Sequence, residues 1–264
     1  MLKSNIFPSY RETSRKLESA WKLMHEYIDI SEEAMNFLNE SRQYLDTMVS
    51  DFLVSQGIGV VTISDATIFG DSRRELGLVS ENDNFLLSGR YVIPMRGIDG
   101  NILAFIGWFP DYKKYITTPS LFFSKKTLFF NLDDAYPRSI NEYDGRVFLV
   151  EGIFDCISLR CLGLPVIATM GADISSYKAE LLKVFSHVTA ISDNDKAGIH
   201  ALKTWELPPW STKVSIRGNF QTPYGELKVK DIDDLIKYSD KDEIRGMLKD
   251  LLYSDKQEEL IKLD

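Results

Sequence analysis

Between Val147 and Ile216 the chain repeats one pattern four times: a short run rich in apolar and β-branched residues, followed by a turn or a helical stretch. The runs are Val147-Phe148-Leu149-Val150, Val166-Ile167-Ala168-Thr169, Val188-Thr189-Ala190-Ile191 and Lys213-Val214-Ser215-Ile216. Ile153 to Leu162, a Ser175-capped stretch through Phe185, and Lys196 to Trp205 have helical character between them. Short apolar strands alternating with helices predict a parallel sheet covered on both faces, an α/β architecture.

Such a sheet binds ligands in the crevice outside the carboxyl ends of its strands. Those ends are acidic here. Glu151 closes the first run, Asp193 and Asp195 follow the third, and Lys230-Asp231-Ile232-Asp233 comes after the fourth. Asp155 lies one helical turn beyond Glu151 and so points toward the same edge. Crowded carboxylates raise one another's pKa, and a cation relieves the repulsion. An oxygen-only donor set selects Mg²⁺ or Mn²⁺, the ions that serve phosphoryl transfer. Gly152 and Gly171 leave room for close approach of backbone to a phosphate. Taken singly, each acid is read equally well as a helix N-cap, Asp195 before Lys196 above all. Capping alone does not explain the set at one edge.

The remaining segments divide the chain into four regions. Residues 1–80 read as helical: Leu17, Trp21, Met24 and Ile28 share a face, Ser31 is a candidate N-cap, and Met35, Leu38, Leu45, Met48, Phe52 and Leu53 continue the apolar stripe. Residues 81–145 read as an α+β region of mainly antiparallel strands and turns. Tyr91 to Met95 and Ile102 to Trp108 flank an Asp99-Gly100 turn, Pro94 marks an edge or bulge, and Leu128-Phe129-Phe130 is a further short strand. Residues 146–236 are the α/β module, and 237–264 a charged helical tail. The 264 residues contain two cysteines and three histidines, too few and too scattered for a disulfide framework or a structural zinc site. No apolar stretch is long enough to span a bilayer and no signal peptide opens the chain, so the expectation is a soluble cytoplasmic protein. A net charge of −8 runs against a sequence-independent nucleic-acid binder. Part of that excess sits in carboxylates that an ion would neutralise, and the basic residues cluster locally.

Three elements carry a family resemblance. Glu151-Gly152-Ile153-Phe154-Asp155, Asp193-Asn194-Asp195-Lys196-Ala197-Gly198 and Lys230-Asp231-Ile232-Asp233 resemble the three motifs of a TOPRIM domain. Upstream, Arg90-Tyr91-Val92-Ile93-Pro94-Met95-Arg96 with Asp99-Gly100, Lys114 to Pro119, and Phe123-Ser124-Lys125 are similar, in order and spacing, to elements of the bacterial-type (DnaG-type) primase core. The resemblance extends from about residue 50 to 249. It implies a metal site of Glu151, Asp155, Asp193, Asp195, Asp231 and Asp233, with Glu151, Asp193 and Asp195 catalytic. It implies Mg²⁺ or Mn²⁺ and no zinc. Arg90, Arg96, Lys114, Lys125 and Lys230 would meet template or nucleotide phosphates. The implied function is synthesis of short primers from nucleoside triphosphates on single-stranded DNA, with a replicative helicase or a separate zinc-binding module as further partners. Trp108 stands where the family often has arginine and reads as core. The family's zinc ribbon is not seen, as in a phage or mobile-element form. The competing expectations are a TOPRIM-type metal-dependent nuclease and a non-catalytic replication accessory protein.

Overall fold

The computed structural model describes residues 9–29, 53, 56–109, 114–120, 122–222 and 225–262. The chain forms two compact units, Met1–Phe123 and Ser124–Asp264.

The first unit is built on a five-stranded antiparallel sheet in sequential order: β1 (Ile28–Asp29), β2 (Val60–Val61), β3 (Tyr91–Arg96), β4 (Ile102–Phe109) and β5 (Lys114–Thr117). Gly100, at φ +77°, takes the left-handed position in the tight β3–β4 turn. Helix α1 (Tyr10–Met24) is capped by the Ser9 hydroxyl and buries Leu17, Ala20, Trp21 and Met24. Trp21 stacks on Phe105, and Ser14 donates to the Ile102 carbonyl, seating α1 on β4. The stripe expected from Ser31 through Phe52 lies outside the described residues, while Leu53 is buried. The remainder of the region expected to be helical is otherwise made: β2, a 3₁₀ turn at Ala66–Phe69 and a single helical turn, α2 (Ser72–Glu75). Pro94 lies on an interior strand. However, β2 pairs with β3 only at Tyr91, and the register shifts between Met95 and Arg96, so the missing N–H falls beside a bulge. Trp108 is fully buried.

The second unit holds an all-parallel sheet in the order β12-β9-β8-β6-β7. Its strands are β6 (Arg146–Val150), β7 (Val166–Ala168), β8 (His187–Ser192), β9 (Ser211–Arg217) and β12 (Glu258–Lys262). Among the described residues six helices accompany it: α3 (Leu132–Glu142), α4 (Ile153–Cys161), α5 (Ser176–Leu182), α6 (Lys196–Thr204), α7 (Ile232–Tyr238) and α8 (Lys241–Leu252). One core packs Leu159, Ile236, Leu248 and Leu252 against Phe148, Val150, Val214 and Ile261; the other packs Leu132, Leu182, Leu202 and Trp205 against Val147, Leu149, Val188 and Ala190. The α/β expectation holds.

Three expectations are corrected. Leu128-Phe129-Phe130 is not a strand: only Phe130 bridges to Ala168, because Asn131 turns into the left-handed region and starts α3. Helix α3 replaces part of the region read as strands and turns. The tail is not wholly helical, since β12 adds a parallel edge strand beside β9; a hairpin of β10 (Asn219–Thr222) and β11 (Gly225–Lys228) is a further unanticipated element. Among the described residues no helix is long and apolar enough to cross a membrane.

Candidate functional site

Chain order and sheet order diverge at one place. From β6 the chain moves outward to β7, then crosses back to β8 on the other side of β6 and continues to β9. The crevice between β6 and β8 is therefore the topological switch point, where open α/β sheets bind ligands. Glu151 follows β6 and Asp193 follows β8, so both stand at its mouth.

Three loops are fastened there by backbone contacts. The Met170 amide donates to the Glu151 carbonyl at 3.0 Å, and the Thr169 amide to the Val150 carbonyl at 2.9 Å, joining the ends of β6 and β7. The Asn194 amide donates to the Lys230 carbonyl at 2.6 Å, and its side-chain Nδ2 to the Val229 carbonyl at 2.8 Å. This residue brings the Lys230-Asp231 segment beside Asp193 and Asp195. Gly198 allows the third close approach: a Cβ there would stand 2.3 Å from the Asp193 carbonyl oxygen and 2.8 Å from its nitrogen. Any side chain at 198 would push the Asp193 backbone out of place.

The capping reading is realised at two of the strand-end acids. Asp195 caps α6 through Oδ1, accepting from the Gly198 amide at 2.8 Å, and Asp231 caps α7 through Oδ1, accepting from the Asp234 amide at 2.9 Å. Each cap engages one carboxylate oxygen. The electrostatics mark the set as a cluster. Burial, then the charges of Asp231 and Glu151, push the Asp193 carboxyl up to about 7. Burial and the charge of Asp195 raise Glu151. Burial, then Asp234, raise Asp231. Lys230 opposes all three shifts from an exposed position, with Nζ 3.9 Å from Asp231 Oδ2.

Two expected ligands are placed differently. Asp233 is buried under the site, where it accepts from the Ser158 hydroxyl and pairs with the buried Lys237 at 3.2 Å. Its carboxylate is engaged by a hydrogen-bonded ion pair within the core. Asp155 is buried in the first turn of α4 and folds back over Gly152. Neither is among the groups that bear most on Asp193. Among the described residues, no three Asp, Glu, His or Cys side chains are gathered tightly enough to hold an ion as they stand. The donor chemistry of Glu151, Asp193, Asp195 and Asp231 nevertheless fits a hard divalent cation: all donors are oxygen, and the repulsion that raises Asp193 is what such an ion removes.

The basic residues divide between the units. In the first, Arg90 donates to the Leu86 carbonyl and lies over the Phe109 ring. Its Cδ would be 2.8 Å from a Cβ at Gly107, which accounts for glycine there. Arg96 pairs with Glu18 at 3.0 Å and donates to the Gly100 carbonyl at 2.7 Å, so a phosphate must compete with that pairing. Lys114 is exposed on β5. In the second unit, Lys125 is exposed in a turn.

Sequence reasoning passed over Asn194, Gly198's steric role and Lys178. Lys178 is wholly buried in α5, donates Nζ to the Thr169 carbonyl at 2.5 Å, and lies over Phe129. Burial, then the charge of Lys125, lowers its pKa to about 8. It anchors the end of β7 beside the Glu151 loop. Nothing in its local sequence distinguishes it from a solvated helix lysine.

Comparison with known proteins agrees with this architecture. Residues 148–236 match the Toprim-like family. The DNA primase of Thermotoga maritima is 28% identical over 262 residues, covering 91% of this chain and 43% of the relative. That of Clostridium acetobutylicum is 30% identical over 132 residues, covering 47% and 22%. The chain thus spans less than half the length of these relatives. Among solved structures, the DnaG primase catalytic domain bound to ssDNA superposes with a TM-score of 0.69 at 20% identity, covering 91% of this chain and 79% of that one. The RNA polymerase domain of Mycobacterium tuberculosis DnaG gives 0.69 at 18%, covering 92% and 83%. The fold is that of the DnaG catalytic core, with a Toprim-like module within it.

Proposed function

We propose that this chain is the polymerase core of a DNA primase, joining nucleoside triphosphates into short RNA primers on a single-stranded DNA template. The observation that carries the reading is the cluster of Glu151, Asp193, Asp195 and Asp231 at the switch point, with Asp193 raised to about 7 by burial and its acidic neighbours. Burying mutually repelling carboxylates lowers stability, and such perturbed groups gather at functional sites.

In the proposed reaction the primer 3′-oxygen bonds to the α-phosphorus of the incoming nucleotide. The bond from that phosphorus to the bridging oxygen breaks, and pyrophosphate leaves. Glu151, Asp193, Asp195 and Asp231 would hold Mg²⁺ or Mn²⁺, which when bound supplies a Lewis acid for the attacking and leaving oxygens. Glu151 takes the hydroxyl proton or holds the ion through water; its raised pKa suits the first role. Lys230 offers its charge to the triphosphate. Arg90, Lys114 and Lys125 are proposed contacts to template or nucleotide phosphates, and Arg96 joins them if its Glu18 pairing opens. Asp155 and Asp233 act in this reading by supporting the loops. A replicative helicase or a separate zinc-binding module is a further proposed partner.

The test is primer synthesis on mixed-sequence single-stranded DNA with labelled ribonucleotides and Mg²⁺ or Mn²⁺. The wild-type chain yields oligonucleotides, and Asp193→Asn or Glu151→Gln lowers the yield at least ~10³-fold, about 4 kcal/mol of barrier, with unchanged circular dichroism. Metal-dependent shortening of the DNA without nucleotides would move the protein to the nuclease class.

A further inference from the structure

Among the described residues no core is built on one face of the parallel sheet near its β12 edge. The core beneath α6 draws residues from β6, β7 and β8 but none from β9 or β12. Val214, Ile216 and Ile261 enter the opposite core. The two-residue period of a strand therefore puts Lys213, Ser215 and Arg217 of β9, and Glu258, Leu260 and Lys262 of β12, on the open side. The register sets Lys213 beside Glu258 and Arg217 beside Lys262. Ile199 and Lys203 of α6 form the other wall of the resulting groove of about 620 Å³, and Lys256 also lines it.

The charge in this groove is contrary to that of the chain. The protein carries −8 overall, yet Lys203, Lys213, Arg217 and Lys256 gather here against Glu258 and Glu259. Lys256 pairs with Glu259 at 3.1 Å; Lys203, Lys213 and Arg217 enter no ion pair among the described residues. Such a concentration of like charge matches a polyanion. The groove's direction adds to this. Ser215 is level with Ser192, so Arg217 lies two residues further along, at the strand-end edge that carries Asp193. Lys213 lies on the same face ~13 Å back along β9. The groove thus leads away from the acidic edge. Among the described residues no aromatic side chain lines it, which favours phosphate contact over base stacking.

We propose that this groove binds the phosphate backbone of a nucleic-acid strand leaving the acidic site, without reading its sequence. The proposal rests on the nucleotidyl-transfer reading above.

Fluorescence anisotropy with a labelled, 3′-recessed primer–template duplex tests it, using the full chain and the combined variant Lys203→Gln, Lys213→Gln, Arg217→Gln. Three phosphate contacts removed should reduce the slope of log affinity against log salt by about 2–3 and weaken binding at least ~10-fold at low salt, with unchanged thermal stability. The corresponding Lys203→Arg, Lys213→Arg variant should bind as wild type. Unchanged affinity and slope in the glutamine variant would overturn the proposal. So would unchanged duplex binding together with lost binding of a polyglutamate peptide, which would make the groove a docking surface for an acidic protein. A wild-type chain that makes no primers but shows the slope change retains the groove and loses the polymerase reading; primer synthesis with no slope change does the reverse.

Discussion

Asp231 and Asp233 are two residues apart at the start of α7, one half-buried and the other buried, and their surroundings are opposite. Asp233 faces inward to Lys237 and the Ser158 hydroxyl. Asp231 bears on the switch-point cluster, where its charge helps raise Asp193; its own pKa is raised by burial and then by Asp234. The inner carboxylate has its counter-charge within the fold; the outer ones share one exposed lysine. A motif of alternating acids thus places one carboxylate in a closed ion pair and the other beside the acidic cluster, and the neighbours decide which is which.

Variants that separate the two roles can break this contrast. Asp233→Ala should lower stability by about 3 kcal/mol, because it removes the nearer of the two carboxylates beside the buried Lys237 ammonium and the acceptor of the Ser158 hydroxyl. Urea denaturation measures this, and a variant as stable as wild type would remove the distinction. Gly198→Ala should cost about 1–3 kcal/mol, since the added methyl must displace the Asp193 backbone. It should also weaken cation binding, read by the cation-induced rise in melting temperature. A smaller effect is expected for Asn194→Ala: about 1 kcal/mol from the lost bond to the Val229 carbonyl, with a weakened cation response. An unchanged response would mean that the backbone contact to Lys230 suffices to hold the two loops.

The same contrast explains what the sequence could and could not reveal. The strands of the α/β module were legible because their apolar runs are short and end at acids or turn residues, as at Val150-Glu151. Helix α3 was not, because Pro137 reads as a breaker; Leu132, Ala135 and Ser139 nonetheless face the interior. Strand β12 was hidden because an edge strand needs one apolar face at most, and only Ile261 is buried there. The acids at the site were legible as a set, but a motif does not record partners. Nothing before Lys237 was placed could show that Asp233 is engaged. Lys178 and Asn194 act through single carbonyl contacts supplied by distant segments, which leave no local pattern.

The most direct measurement is the thermal stability of wild type and Asp193→Asn at pH 8, in chelator and then with Mg²⁺ or Mn²⁺. The Asp193 carboxyl is raised from 3.8 to about 7 in the folded protein. Between those values the folded state holds a proton that the unfolded chain has released, so stability falls as pH rises through the window and the penalty is complete above pH 7. That penalty is at most about 4 kcal/mol. In chelator at pH 8, Asp193→Asn should therefore melt several degrees above wild type, with the gap closing toward pH 4. Added cation should raise the wild-type melting temperature and leave the variant nearly unchanged. A variant no more stable than wild type, together with a wild type indifferent to cation, would contradict a repelling carboxylate cluster built to hold an ion.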